Sequence, residues 1–288
     1  MRQALNPILE TRTHSLHGFS MTAALLQPFR NRRHRTALDL LQYVALVSAL
    51  AWLLARGTER LGYNWQWYRV PRYLFTWENG HFSAGLLLQG LGVTFQVAGV
   101  SLILAFVFGV STALFRLSGS WMARSIAVVY VELIRNTPLL IQLFFIYFVL
   151  SPVLDISRFM SAVLALSLFE GAYASEIMRA GIVAVDKGQW EASRSLGLST
   201  ANAYVHVILP QALRKMLPPL TSQAISLVKD SALVSTIALY DLAMQAQVVV
   251  ADTFLTFEIW FTVAAIYLVI TLGLSLVVRR MEKRFAAA

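Results

Sequence analysis

The sequence has no cysteine among its 288 residues, which excludes disulfides, thiol nucleophiles and cysteine-ligated metals. Charged residues are also scarce, at 14% of the chain, whereas 57% of the residues are hydrophobic and the mean hydropathy is +0.62. A soluble core of this size does not need so many apolar residues. Soluble α/β proteins have strand-length apolar runs separated by turn residues, but the runs here are much longer. Lipid is therefore the expected solvent for much of the chain.

Catalytic and nucleotide-binding motifs are missing as well. The sequence contains no G-x-x-x-x-G-K-[ST], no H-E-x-x-H and no G-x-S-x-G, and its five histidines lie outside the longest apolar runs. The net charge of +9 does not form a basic stripe with interleaved aromatic residues, which argues against nucleic acid as a partner. We therefore expect a chain that is not an enzyme and that itself binds no metal and no cofactor.

Long apolar runs predict an all-α integral membrane protein. The run from Phe82 to Phe115 contains no ionisable residue, and two further runs approach the roughly 20 residues that cross a bilayer. Three weaker runs carry one to three charges each. The six predicted transmembrane helices are 38–55, 82–115, 136–154, 159–182, 216–240 and 258–278.

The Lys and Arg residues predict the orientation of these helices. Seventeen of them lie in the tail and connections 1–36, 116–124, 179–215 and 279–288, against five in the connections on the other side. Because basic loops stay in the cytoplasm, both termini are predicted to be cytoplasmic. The Arg-rich tail 1–36 is expected to be disordered. Translation is predicted to begin at Met21, which precedes a basic stretch.

An aromatic-rich connection precedes the second predicted span. Tryptophan and tyrosine favour the headgroup level of a bilayer, so residues 62–80 are predicted to form an interfacial segment. A simple extracytoplasmic loop is an equal alternative. The aromatic residues are Tyr63, Trp65, Trp67, Tyr68, Tyr73 and Trp77.

The longest cytoplasmic connection, 181–215, has helical character. Asp186 followed by Gln189 suits a capping box, and Leu196 followed by Gly197 suits a helix stop. Ser199 or Thr200 can begin a second helix, predicted to end before Pro210. The sequence thus predicts two short helices lying beneath the membrane.

The spacing of Glu191-Ala192, Gly197 and Leu209-Pro210 resembles the EAA loop of permease subunits from binding-protein-dependent ABC importers. Ser193 stands where that loop has its third residue, alanine. The segments VELIRNTPLLIQLFFIYF, AYASEIMRAGI, GQWEASRSLGLS, ILPQALR and LVKDSALVSTI are similar to those of histidine, glutamine and glutamate permeases. Asn136 departs from this pattern, in which glycine is usual.

The resemblance implies an importer that moves polar amino acids across the bacterial inner membrane by ATP-driven alternating access. It implies two ABC ATPase subunits that hold ATP and magnesium, a second permease chain, identical or different, and an extracytoplasmic amino acid binding protein. An ion-coupled secondary transporter is the alternative, and the loop could instead be an amphipathic interfacial helix. The residues expected to couple the chain to the ATPase are Asp186, Gly188, Gln189, Glu191, Ala192, Ser193, Leu196, Gly197, Leu209 and Pro210.

Charge, hydropathy and the resemblance, which covers about residues 89–280, together give the expected organisation of the chain. It consists of the basic tail 1–36, an extra transmembrane helix 37–56, an extracytoplasmic or interfacial segment 57–85, a five-span core 86–282 that contains the coupling loop 183–213, and a C-terminal tail 283–288.

Charges within the predicted spans are costly, about 2.5–3.5 kcal/mol each on insertion scales, so each should be paired or face a hydrated cavity. Glu132 with Arg135, and Glu176 with Arg179, have the i, i+3 spacing of structural ion pairs. A zwitterionic substrate needs a cation for its carboxylate and an anion for its ammonium group. The candidates for the substrate path are Arg135, Gln142, Glu170, Lys229 and Asp230.

Proline and glycine residues give further expectations. Pro138 should disturb its helix, whereas Pro218 and Pro219 should sit in the first turn of theirs. Gly90, Gly92 and Gly99 of the second span are expected to be sites of close helix packing, because small residues let helices approach each other in a membrane.

Overall fold

A computed structural model describes residues 32–60, 62–78 and 80–287 of the chain. Met21 and most of the predicted basic tail lie outside the described residues. The contacts divide the chain into a unit that ends at Asn64 and a larger unit that begins at Trp65.

Helices dominate the described residues. The α-helices are α1 (Arg32–Arg60), α2 (Pro71–Leu74), α3 (Leu86–Leu117), α4 (Trp121–Arg135), α5 (Leu139–Phe144), α6 (Ser151–Leu154), α7 (Arg158–Val183), α8 (Lys187–Ser195), α9 (Thr200–Ala203), α10 (Leu209–Asp230), α11 (Leu242–Thr253) and α12 (Thr256–Ala287). Wider π-type turns join α5 to α6 at Phe145–Leu150 and α9 to α10 at Tyr204–Ile208, and 3₁₀ turns occupy Trp67–Arg69 and Ser231–Ile237.

The helices that are able to cross a bilayer coincide with the predicted apolar runs. Within the described residues, three helical stretches are long and apolar enough to cross a bilayer: Leu38–Gly57, Leu86–Leu117 and Thr256–Glu282. The count rises to five if two bent helix pairs each form one span. The remaining predicted span corresponds to α7, in which 13 of 26 residues are buried. Its surroundings are mainly protein, so it tolerates more polar residues than a helix that faces lipid.

The central contact of the fold joins α3 to α7. Small residues let the two backbones approach: a Cβ atom on Gly171 would lie 2.8 Å from the Cβ of Phe108, and one on Gly109 would lie 3.0 Å from the Cβ of Ala174. Close approach of this kind replaces the hydrophobic driving force that helices lack in lipid. The helix pair therefore forms the rigid centre around which the other spans pack.

The glycines of α3 differ from one another. A Cβ on Gly90 would lie 2.7 Å from the backbone oxygen of Asp241, so this position is closely packed as expected. Gly92 and Gly99 would have no atom within 4 Å of such a Cβ. The expectation of close packing is wrong for these two, because they lie on faces of α3 that no described residue approaches.

Pro138 breaks its helix as predicted. It is the N-cap of α5, and the pair Trp121–Arg135 and Leu139–Leu154 is bent by 106° at this break. Since proline carries no N–H and disfavours a helical conformation in the preceding residue, α4 ends at Arg135. The span predicted at 136–154 is thus the second arm of a bent pair that starts at Trp121.

The second loop helix does not end before Pro210, and this prediction is wrong. Helical turns continue from Thr200 to Asp230, with Pro210 in the first turn of α10. Pro218 and Pro219 lie inside α10 and not in a first turn. Each proline removes one helical hydrogen bond, and packing on α7 and α12 stabilises the helix in spite of that loss.

A short hairpin also departs from the all-α expectation. Strands β1 (Phe75–Glu78) and β2 (His81–Ala84) pair antiparallel, and Gly80 supplies the positive φ of the turn at +78°. The next residue, Gly85, has no room for a side chain, because a Cβ there would lie 2.4 Å from the backbone oxygen of Tyr73. The hairpin is therefore held directly against the start of α3.

Candidate coupling loop and substrate path

Helix α8 begins at a side-chain cap. The carboxylate of Asp186 accepts a hydrogen bond of 2.6 Å from the backbone N–H of Gly188, which satisfies one of the free donors at the helix start. Gln189 does not complete the predicted capping box. Its side-chain oxygen accepts instead from Nε2 of Gln211 on α10, at 3.1 Å. Asp186 thus sets the start of α8, and Gln189 ties the helix to its neighbour.

The end of α8 is a Schellman motif. Gly197 N–H donates to the carbonyl of Arg194 at 2.9 Å, and Leu198 N–H donates to that of Ser193 at 3.1 Å. Gly197 has a φ of +74°, and a Cβ there would meet nothing within 4 Å. Glycine is therefore required by the backbone conformation and not by crowding.

The inner side of α8 is fixed to the membrane domain. Ser193 is buried and donates through Oγ to the carbonyl of Gln189, while the ring of Trp190 meets that of Tyr204 edge-on at 4.8 Å. Lys215 Nζ donates to the carbonyl of Ala184, at the C-cap of α7. The Trp190 contact packs α8 on the turn that leads into α10, and the Lys215 contact joins α10 to the end of α7.

The opposite side of α8 is open. Its exposed residues have mixed charge, and the exposed apolar Leu196 follows at its C-cap, with 80% of its surface accessible. Leu209 and Pro210, which were grouped with the loop in the sequence, lie instead in the first turn of α10. The exposed residues of the helix are Lys187, Gly188, Gln189, Glu191, Ala192, Arg194 and Ser195.

Glu170 is the most deeply buried of the substrate-path candidates, with 2% of its surface exposed. Its Oε2 accepts a hydrogen bond of 2.6 Å from Nε2 of Gln223 on α10, and the side chain of Asp230 also interacts with it. Its Oε1 has no hydrogen-bond partner among the described residues. Sequence spacing could not find these partners, because they are more than 50 residues away along the chain.

A cavity of about 450 Å³ lies beside Glu170. Its walls are mainly apolar and come from α3, α7 and α10, and Glu170 and Gln223 supply most of its polar groups. A mostly apolar pocket with a few converging polar groups is the usual form of a small-molecule site. Gln223 was not singled out in the sequence, where a glutamine in a weakly apolar run gives no distinguishing signal.

The other candidates are placed differently. The guanidinium group of Arg135 lies 5.2 Å from the ring centre of Tyr173, which is three residues after Glu170 on α7. Gln142 donates through Nε2 to the carbonyls of Ile134 and Thr137 at 2.7 and 2.9 Å, so it satisfies the backbone at the break before α5. Lys229 is exposed.

One of the two predicted ion pairs is present in the structure, and the other is not. Arg179 Nη2 lies 2.9 Å from Glu176 Oε2, and Arg116 of α3 joins this pair through Glu176 Oε1. Glu132 and Arg135 do not pair in the described structure. Glu132 Oε2 accepts from Asn136 Nδ2 at 3.0 Å, because Asn136 closes the end of α4, and Arg135 turns to α7.

In the described ranges, no group of three or more His, Asp and Glu side chains is placed to hold a metal ion.

Broken spans, buried polar groups beside a cavity and a helical loop packed against them are features of a membrane transport subunit. The sequence carries this further: residues 105–287 match the model of the family described as binding-protein-dependent transport system inner membrane component. The chain belongs to that family.

Characterised relatives support the assignment. The glutamine transport system permease protein of Escherichia coli (strain K12) is 39% identical over 213 residues, which cover 73% of this chain and 97% of that protein. The L-cystine transport system permease protein of Bacillus subtilis (strain 168) is 42% identical over 204 residues, or 69% and 86% of the two chains.

Solved structures show the same fold. An amino acid ABC transporter crystallised with histidines superposes with a TM-score of 0.66 at 39% identity, covering 69% of this chain and 94% of that one. A methionine ABC transporter in an inward-facing conformation gives a TM-score of 0.59 at 20% identity, covering 69% and 96%. The permease fold of an ABC importer is therefore shared.

Proposed function

We propose that this chain carries polar amino acids across the bacterial inner membrane, with both termini in the cytoplasm, in a complex with two ATPase subunits, a second permease chain and an extracytoplasmic binding protein. Glutamine and cystine are the substrates named for relatives that are about 40% identical to it. ATP and magnesium would be held by the ATPase subunits, since this sequence has no P-loop. The five-span core 86–282 would form the permease, and 1–36 and 283–288 its tails.

The coupling role is assigned to α8 and its two ends. The observation that carries this proposal is the exposed face of α8 on a rigid support, with Leu196 projecting beside it. A short helix that is fixed on one side and open on the other can transmit the motion of a partner to the spans. Glu191 makes no ion pair with any described residue, so its carboxylate is available to a basic group of the ATPase.

The substrate path is assigned to the cavity beside Glu170. The unpartnered Oε1 of Glu170, with Asp230 close by, would accept hydrogen bonds from the ammonium group of an amino acid. Arg135 lies over Tyr173, one helical turn along α7 from Glu170, and would meet the carboxylate. Gln142 and Lys229 are kept as secondary candidates, and the Glu176–Arg179 pair is assigned a structural role.

Reconstituted vesicles test this function. The complete complex with ATP on the ATPase side should accumulate labelled glutamine, and an ion gradient without ATP should not drive uptake. Glu170→Gln should lower uptake at least about tenfold, the effect of about 1.4 kcal/mol from one lost charged hydrogen bond. Asp252→Asn, at an exposed position of α11, is the matched control and should transport normally. Uptake driven by an ion gradient alone would show that the chain is a secondary transporter.

A further inference from the structure

The residues Trp65–Trp77, here called the aromatic segment, lie at the start of the larger unit and expose several large rings. Tyr68 has 79% and Trp77 72% of its surface accessible, and Trp65, Trp67 and Phe75 are also exposed. Large exposed aromatic patches on a folded protein indicate a contact surface.

The aromatic segment is fixed to two spans and is not a free loop. The backbone N–H of Gln66 donates to Oε1 of Glu258 at 2.7 Å, in the first turn of α12, and Glu258 is fully buried. At the other end, Gly85 N–H donates to the carbonyl of Leu74 at 2.8 Å, just before α3. The exposed rings are therefore held at the starting ends of α3 and α12.

The length of α12 places these rings relative to the bilayer. Its apolar stretch has 27 residues. This corresponds to about 40 Å, against a hydrocarbon core of about 30 Å and a whole bilayer of about 40–45 Å. The first turn of α12 consequently falls in the headgroup region. Tryptophan and tyrosine concentrate at that depth, where one part of the ring is apolar and another can donate a hydrogen bond.

The aromatic segment also continues the lipid-facing surface of α12. Trp65 and Trp67 stack at 5.8 Å, and both lie against Phe261, whose centroid is 6.5 and 6.4 Å away. Phe261 is itself exposed, as are Leu268, Val269 and Leu272 further along α12. A groove of about 530 Å³ opens between Trp67, Leu74 and Phe261, with room for part of an acyl chain.

From these observations we infer that the aromatic segment is a lipid-binding collar, which lies in the interface between headgroups and acyl chains; with the orientation proposed above, this is the outer leaflet. Arg69 and Arg72, on the same segment, are suited to contact lipid phosphates. Glu258 acts as the clamp that fixes the collar to α12. The collar sets the depth and tilt of α12 and takes no part in docking the binding protein.

Fluorescence quenching by brominated phospholipids tests the depth of the collar. Variants that keep only Trp67 or only Trp77, with phenylalanine at the other tryptophans, are reconstituted in vesicles. Lipids brominated near the glycerol should quench both about twofold more than lipids brominated near the chain end, as expected for rings 5–10 Å below the surface. A variant that keeps only Trp190, on α8, is the matched control and should not be quenched by either lipid.

Two outcomes would overturn the inference. In the first, Trp67 and Trp77 are quenched by aqueous iodide and not by brominated lipid. In the second, added binding protein shields them from iodide, which would identify a protein-docking surface. If the single-tryptophan variants do not fold, hydroxyl-radical footprinting of the unaltered chain in nanodiscs gives the same answer: Tyr68 and Trp77 should be protected, and labelling as extensive as in a denatured chain contradicts a lipid contact.

The clamp is tested separately. Glu258→Ala in the variant that keeps only Trp67 should reduce quenching by lipid and shift the emission to longer wavelength, because the ring leaves the interface. Glu282→Ala, near the opposite end of α12, is the control and should leave both signals unchanged. Equal emission in the two variants would show that Glu258 does not position the collar.

Discussion

Replacement of Gly197 separates backbone strain from crowding at the end of α8. Because a Cβ there meets nothing within 4 Å, a side chain at this position causes no clash. The φ of +74° remains, and left-handed backbone costs an L-residue about 1–2 kcal/mol, with β-branched residues at the high end and asparagine well below it. Gly197→Val should therefore reduce the population of correctly ended α8 about 5- to 30-fold, and Gly197→Asn should have a much smaller effect.

The measurement is the ratio of ATP hydrolysed to amino acid transported, in vesicles that contain the complete complex. We expect this ratio to rise in Gly197→Val, since the Schellman motif that orients Leu196 and Leu198 is lost. It should stay near the unaltered value in Gly197→Asn. Similar ratios in the two variants, with intact complexes, would refute the assignment of this turn to coupling.

Three further predictions concern packing, the outer turn and the helix cap. Gly90→Ala should lower thermal stability in detergent relative to Gly92→Ala by about 1–3 kcal/mol, because only the first Cβ overlaps a neighbour; equal melting of the two would contradict the packing described. Arg158 donates through Nη1 to the carbonyl of Ala238 at 2.7 Å, so Arg158→Gln should speed hydrogen exchange in the turn that follows Ser231–Ile237, and unchanged exchange would count against this contact. Asp186→Ala should destabilise α8 by about 1 kcal/mol, measured as faster exchange in its first turn, whereas Asp186→Asn should retain the cap.

Apolar runs and loop spacing predicted much of the fold. The uninterrupted run from Phe82 corresponds to α3, and the Gly197 signal marks the end of α8 where it was expected. These features are local: a long apolar run has few alternatives in lipid, and a glycine after a helix has a specific backbone role.

Features that depend on distant contacts could not be predicted in this way. Gln223 meets Glu170 only because α10 packs on α7, and Arg116 reaches Glu176 only because α3 does. The sequence does not predict the continuity of α9 and α10 through Pro210, because a proline can equally end one helix or occupy the first turn of the next. Hairpin strands of four residues likewise have too few residues to show a period.

The unbroken helical path from Thr200 to Asp230 has a mechanical consequence. Gln223 lies 23 residues beyond Thr200, about 35 Å at 1.5 Å per residue, so the path links the turn packed against α8 to the side of the cavity. A rotation of about 10° about the Thr200 end would carry Gln223 through about 6 Å. A displacement of that size is comparable to the width of an amino acid, so under the proposed function a small tilt imposed through α8 is sufficient to unseat a substrate bound beside Glu170.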